Sequence, residues 1–141
     1  ITVGKYAEQA LYHELFHVME THILAESTAF DQWEDLNPIG FQYHYGTGFL
    51  PEWEPYLSGE SRAFVDAYST TFPKEDRARI LENAILPGNA QLFRTSVMQA
   101  KLAKLCHGIR QAYGLKKSPE TFIWEQYLNF PLAYSEKNAT S

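Results

Sequence analysis

One cysteine, Cys106, stands among 141 residues, so no internal disulfide can form and cysteine usage does not reveal the redox compartment. No apolar run approaches the roughly 18 residues of a membrane span, and the start lacks a charged segment followed by an apolar signal core. Positive charge is also scarce. Twelve Lys and Arg stand against seventeen Asp and Glu, for a net charge of −5. With no basic run to neutralise phosphates, nucleic acid is set aside as a partner. Internal repeats and low-complexity tracts are absent. What is present is a 45% hydrophobic, 15% aromatic composition that supports one folded domain over residues 1–141. Ile1 in place of methionine, and a motif soon after it, fit a fragment or processed product of a longer chain. Asn138-Ala139-Thr140 matches a glycosylation acceptor pattern.

The expected fold is mainly α, with at most a short β-hairpin. Residues 2–25 lack proline and read as one helix, with Leu11, Leu15 and Val18 at helical spacing. A second short helix fits 27–36, ended by Asn37-Pro38. Phe41, Tyr43 and Tyr45 alternate with Gln42 and His44, the two-residue period of a short strand. A helical turn fits 61–68, and Thr71 is a plausible cap for a helix over 72–84 with Pro73 in its first turn. After Pro87-Gly88 a long helix runs to Tyr113, carrying Met98, Leu102, Leu105 and Ile109 on one face and stopping at Gly114. Ser118-Pro119-Glu120 opens a last helix bearing Phe122, Ile123, Trp124 and Leu128.

The chemistry lies in the first helix, at His13-Glu14-Leu15-Phe16-His17. Histidines four residues apart project from one helical face, as two zinc ligands must. Glu14 is too offset to complete a tetrahedron with them but can take a proton from a zinc-polarised water, whose pKa zinc lowers to roughly 7. A catalytic zinc needs a third protein ligand. His22 follows His17 by five residues, a rotation of about 140° away from the metal face. Glu20 shares the face but lies a turn further along, which suits an outer-shell role at most. Cys106 and His107 are sequence neighbours whose side chains diverge, so they form no nucleophile–base pair, and Cys106 reads as core.

His13-Glu14-Leu15-Phe16-His17, then Phe64-Val65-Asp66-Ala67-Tyr68 and Pro73-Lys74-Glu75-Asp76-Arg77-Ala78, resembles the glutamate-ligand zincins, or gluzincins, related to anthrax lethal factor and the Pro-Pro endopeptidases. It is also similar to zinc-binding peptidases of bacterial envelopes, in which a tyrosine-containing segment precedes a Glu-Asp-x-Ala-Glu stretch. The resemblance covers roughly residues 5–85. It implies Glu75 as the third zinc ligand, with Asp76 the alternative, and Tyr68 as donor to the oxyanion formed on a scissile carbonyl. The chain departs from the family pattern at Arg79, which stands where a second, outer-shell glutamate is usual. The segment between His17 and Glu75 is long for the family. Its aromatic loop, 41–56, reads as packing, with Tyr43, His44 and Trp53 as the residues that could touch substrate.

The expectation is therefore a zinc peptidase acting on peptide or protein substrates, with His13, His17 and Glu75 as ligands, Glu14 as base and Tyr68 as oxyanion donor. The chain would be the C-terminal part of a longer zincin domain whose β-sheet lies upstream, in an extracellular or cell-envelope setting. The alternative is a zinc-binding or interaction domain, derived from a zincin, that has lost turnover.

Overall fold

A computed structural model describes residues 5–132. The predicted start of the first helix at Thr2 and the glycosylation pattern at Asn138 lie outside the described residues. Three α-helices carry the fold: α1, Lys5–Glu26; α2, Pro73–Ile85; and α3, Ser96–Ala112. The remaining regular structure is short 3-10 turns, and no strand occurs among the described residues. The chain is mainly α, as expected, and none of the described helices is long and apolar enough to cross a membrane.

α1 packs chiefly on α2 and then on α3. The side it buries differs from the predicted one. Leu11, Leu15 and Val18 are exposed, whereas His13, Phe16, Glu20 and Ile23 are buried. Two of those four are polar because α2 offers charged partners, so the buried stripe is invisible to a count of apolar spacing. Phe16 and Ile23 join Ala78, Leu81 and Ala84 of α2 and Met98, Leu102, Leu105 and Ile109 of α3 in one core. At the α1–α3 crossing, a Cβ on Gly108 would stand 3.1 Å from Phe30 Cε1 and 3.2 Å from Ile23 Cγ2, so only glycine allows this approach without movement.

The termini of the helices explain other departures. Phe72, not Thr71, is the N-cap of α2 and lends no side-chain hydrogen bond, while Pro73 supplies the preset φ of the first turn. The Thr71 hydroxyl instead donates to the Tyr68 carbonyl at 2.7 Å. The helix expected straight after Pro87-Gly88 begins only at Ser96, capped by Thr95, and a 3-10 turn, Ala90–Phe93, precedes it. Gly114, at φ +69°, follows the end of α3 as expected.

The helix expected from Ser118 onward does not form among the described residues, which hold only a 3-10 turn there, Ile123–Glu125. The Arg110 guanidinium accounts for this. It donates to the carbonyls of Leu115, Ser118 and Glu120 and to the Glu125 carboxylate, so a side chain takes up the Ser118 and Glu120 carbonyls that the first turn of a helix would have paired internally.

The loop between α1 and α2 is built on α2. The strand predicted from Phe41 to Tyr45 does not form. Tyr43 turns inward and donates to Asp76 Oδ2 at 2.7 Å, and Tyr45 adopts a left-handed φ of 51° that breaks the extended run. His44 and Tyr45 instead donate their backbone N–H groups to Thr70 and Thr71. The short helix predicted over 27–36 is reduced to a 3-10 turn, Trp33–Leu36, and the turn predicted at 61–68 to Gly59–Ser61 and Ala67–Thr70. Phe41 packs edge-on against Tyr43 and Trp53 and tilts against Phe64, which makes this loop an aromatic wall.

Beneath the wall, Lys101 of α3 and Asp76 of α2 are both fully buried and paired at 2.8 Å. Trp33 Nε1 and the Tyr43 hydroxyl also donate to the same carboxylate oxygen. Burial lowers the Lys101 pKa and Asp76 opposes that shift. Replacing Lys101 by Met leaves Asp76 buried without its cation and should cost about 3–5 kcal/mol. Adding Asp76→Leu should recover part of that loss. Urea unfolding of the single and double variants measures both, and equal losses would contradict the pairing.

A second prediction concerns acid. Arg110 holds the Glu125 carboxyl below its usual pKa. Its contribution is thus full above the unfolded value of about 4.3 and fades as pH falls through the lower folded value. Glu125→Gln should reduce the urea midpoint at pH 7, and the gap from the parent should narrow as pH falls below the unfolded value of about 4.3.

Candidate metal centre

α1 presents His13 and His17 on the side that faces the first turns of α2, with their rings 4.8 Å apart and nearly perpendicular. Glu75 sits in the first turn of α2 and reaches both. Its Oε2 lies 3.1 Å from His13 Nε2 and its Oε1 2.6 Å from His17 Nε2. One carboxylate thus spans the two nitrogens that would otherwise face a shared ion. Glu14, exposed on the solvent side of α1, places a carboxylate oxygen within 4.8 Å of the ligand atoms of both histidines. Glu14 thus approaches the two histidines from the solvent side, while Glu75 reaches them from α2.

Asp76, the alternative to Glu75, points to the other side of α2 and is committed to Lys101, Trp33 and Tyr43. Tyr68 arrives on the 3-10 turn Ala67–Thr70, fixed by its N-cap Asp66, which accepts from Ser69 N at 3.1 Å. The Tyr68 ring centre lies 6.0 Å from that of His13. Glu75, with burial adding to its effect, pushes the phenol pKa up to about 12, which favours the protonated, donating form.

The Glu75 carboxyl is held below its ordinary pKa. Burial works against its charge, but Tyr68 and His13 outweigh burial. His13 titrates above its usual range, first because of Glu82 and secondarily because of Glu75, with burial opposing.

Glu82 is the residue that sequence reasoning missed. Its Oε1 accepts from His13 Nδ1 at 3.0 Å and is 2% exposed. It lies two helical turns beyond Glu75, a separation that returns it to the same face of α2. A carboxylate on the far nitrogen of a ligating imidazole fixes the ring and its tautomer, the role expected of a glutamate at position 79. The spacing on α2 could have flagged it, had the search run past the first turn after the ligand.

The other candidates do not join this centre. Glu20 pairs with Arg77 in a buried contact. His22 Nε2 meets the Ala112 carbonyl at 2.9 Å and its ring packs on Tyr113. Tyr43 is committed to Asp76, His44 to the Thr70 hydroxyl, and Trp53 packs on Phe41 and Tyr56, all as parts of the loop. Cys106 is buried with its thiol pKa pushed up by that burial, whereas His107 is exposed.

The donor set suits a divalent cation on one further ground. Three carboxylates of α2 are buried: Glu75, Asp76 and Glu82. Asp76 has Lys101 and Glu82 has Arg79, but among the described residues no Lys or Arg pairs with Glu75. Its partners are two imidazoles and a phenol, leaving room in the charge balance for an ion of the kind two histidines and a carboxylate bind.

Comparison with protein-family models, curated proteins and solved structures finds no match to this chain. Glu82→Ala should leave a stoichiometry of one zinc per chain and weaken affinity by about 10–100-fold. Competition with a chromophoric chelator measures this, and unchanged affinity would remove Glu82 from the centre.

Proposed function

We propose that this chain carries the metal site and general base of a zinc peptidase. His13, His17 and Glu75 hold the ion, Glu14 is the base and Tyr68 the oxyanion donor, as the resemblance to the glutamate-ligand zincins implies. The observation that carries the reading is Glu75, a buried carboxylate that bridges both histidine Nε2 atoms and pairs with no Lys or Arg among the described residues.

When bound, zinc acts as a Lewis acid that brings the pKa of a coordinated water to roughly 7. Glu14, exposed beside the histidines, accepts the proton released as water adds to the scissile carbonyl, and can return it to the leaving amine. Tyr68, kept protonated, donates a hydrogen bond to the carbonyl oxygen as it gains charge. Glu82 holds the His13 ring with Nε2 turned toward the centre. A hollow lined by His17, Glu20, Thr21, Leu24, Lys74 and Arg77 adjoins the centre and gives substrate a place beside it.

The test is a metal analysis joined to a peptide-library assay. One zinc per chain is expected, lost on His13→Ala or His17→Ala. Glu14→Gln should keep the zinc and slow hydrolysis by about 10²–10⁴-fold. A chain that binds no zinc would refute the proposal, and zinc retained without cleavage of a broad peptide library, even by the longer parent protein, would select the non-catalytic zinc-binding domain instead.

A further inference from the structure

Arg79 occupies the position on α2 where the resemblance leads one to expect a glutamate, and three groups converge on it. Its Nη1 donates to Glu82 Oε1 at 2.8 Å, its Nε pairs with Asp66 Oδ2 at 3.3 Å, and the guanidinium carbon lies 4.6 Å from the centre of the Tyr68 ring. Each contact leads to a different part of the centre. Glu82 Oε1 also meets His13 Nδ1. Asp66 caps the turn that presents Tyr68. Tyr68 as a residue is 45% exposed, so burial alone does not set its ring angle.

We propose that Arg79 is a positioning residue that sets the His13 imidazole and the Tyr68 phenol in one frame, acting through Glu82 on the first and through Asp66 and ring stacking on the second. This inference rests on the peptidase reading above. A guanidinium suits the task because it offers donors in a fixed planar fork and a flat cationic face that packs on an aromatic ring. Lysine offers a single rotating charge and could satisfy one of the three contacts at a time. A glutamate at this position could orient a histidine but could neither pair with Asp66 nor stack favourably on Tyr68. With Glu82 holding His13 from one turn further along, position 79 is free for a cation that ties the tyrosine turn to the metal helix.

The experiment compares Arg79→Ala and Arg79→Lys in the parent and in Tyr68→Phe, reading zinc affinity, the visible spectrum of the cobalt-substituted chain, and kcat and KM separately. Arg79→Ala should still bind one zinc but about 10-fold or more weakly, with an altered cobalt spectrum. It should lower kcat by up to about 10²-fold with KM little changed. The loss caused by Tyr68→Phe should shrink when Arg79 is already gone, since the two act as a unit. Arg79→Lys should fail to restore the parent. Should Arg79→Ala not fold, Arg79→Gln, which keeps a donor to Glu82 but neither charge nor stack, carries the same comparison. Zinc affinity and cobalt spectrum equal to the parent's, or an undiminished Tyr68→Phe effect, would overturn the inference while leaving the peptidase reading intact. A parent chain that binds no zinc would overturn both.

Discussion

Charge buried along the seams that α2 makes with α1 and α3 has to be balanced, and most of the structure follows from how that is done. Glu20, Glu75, Asp76 and Glu82 are each nearly or wholly removed from water. A carboxylate left alone in such a place costs several kcal/mol, so each requires a partner held in good geometry. Arg77 serves Glu20, Lys101 serves Asp76, and Arg79 with His13 serves Glu82. Glu75 relies on groups whose charge depends on protonation, and it is the position where the proposed cation would complete the balance.

The rest of the chain keeps these seams in register. The aromatic loop between α1 and α2 places Trp33 and Tyr43 on Asp76, which turns the far side of α2 toward Lys101 and thereby aims Glu75 at the histidines. Neighbouring residues in sequence, Glu75 and Asp76, are about 100° apart on a helix. One can therefore anchor the helix while the other serves the centre. The C-terminal strap adds a further constraint, because Gln126 donates to the carbonyls of Ala84 and Ile85 at the end of α2.

What could be read from the sequence tracks the reach of each signal. The ligand spacing His13–His17 and the helix that bears it depend only on residues one turn apart, and α1 is found at Lys5–Glu26. The apolar face of α3 was legible for the same reason, since its partners are apolar and Met98, Leu102, Leu105 and Ile109 are all buried. The buried face of α1 was not, because it meets ionised side chains, and spacing of leucines said nothing about His13 and Glu20. Glu82 was missed because a carboxylate on an amphipathic helix reads as solvated until the histidine opposite it is known. The helix expected from Ser118 onward failed on a long-range cause, a guanidinium from α3 that captures the strap's carbonyls, and the short strand read at 41–45 failed because Tyr43 serves Asp76 rather than a neighbouring strand.

The proposed centre depends on Glu75 being a carboxylate more than on any other single group, and zinc-dependent stability isolates that dependence without recourse to activity. A ligand bound only by the folded chain raises unfolding free energy by about 2.7 kcal/mol at a hundredfold excess over its dissociation constant. Urea midpoints of the parent and of Glu75→Gln, each with and without zinc, should show a clear rise for the parent and little or none for the variant. The same rise in both, or none in the parent, would contradict a cation site built on that carboxylate.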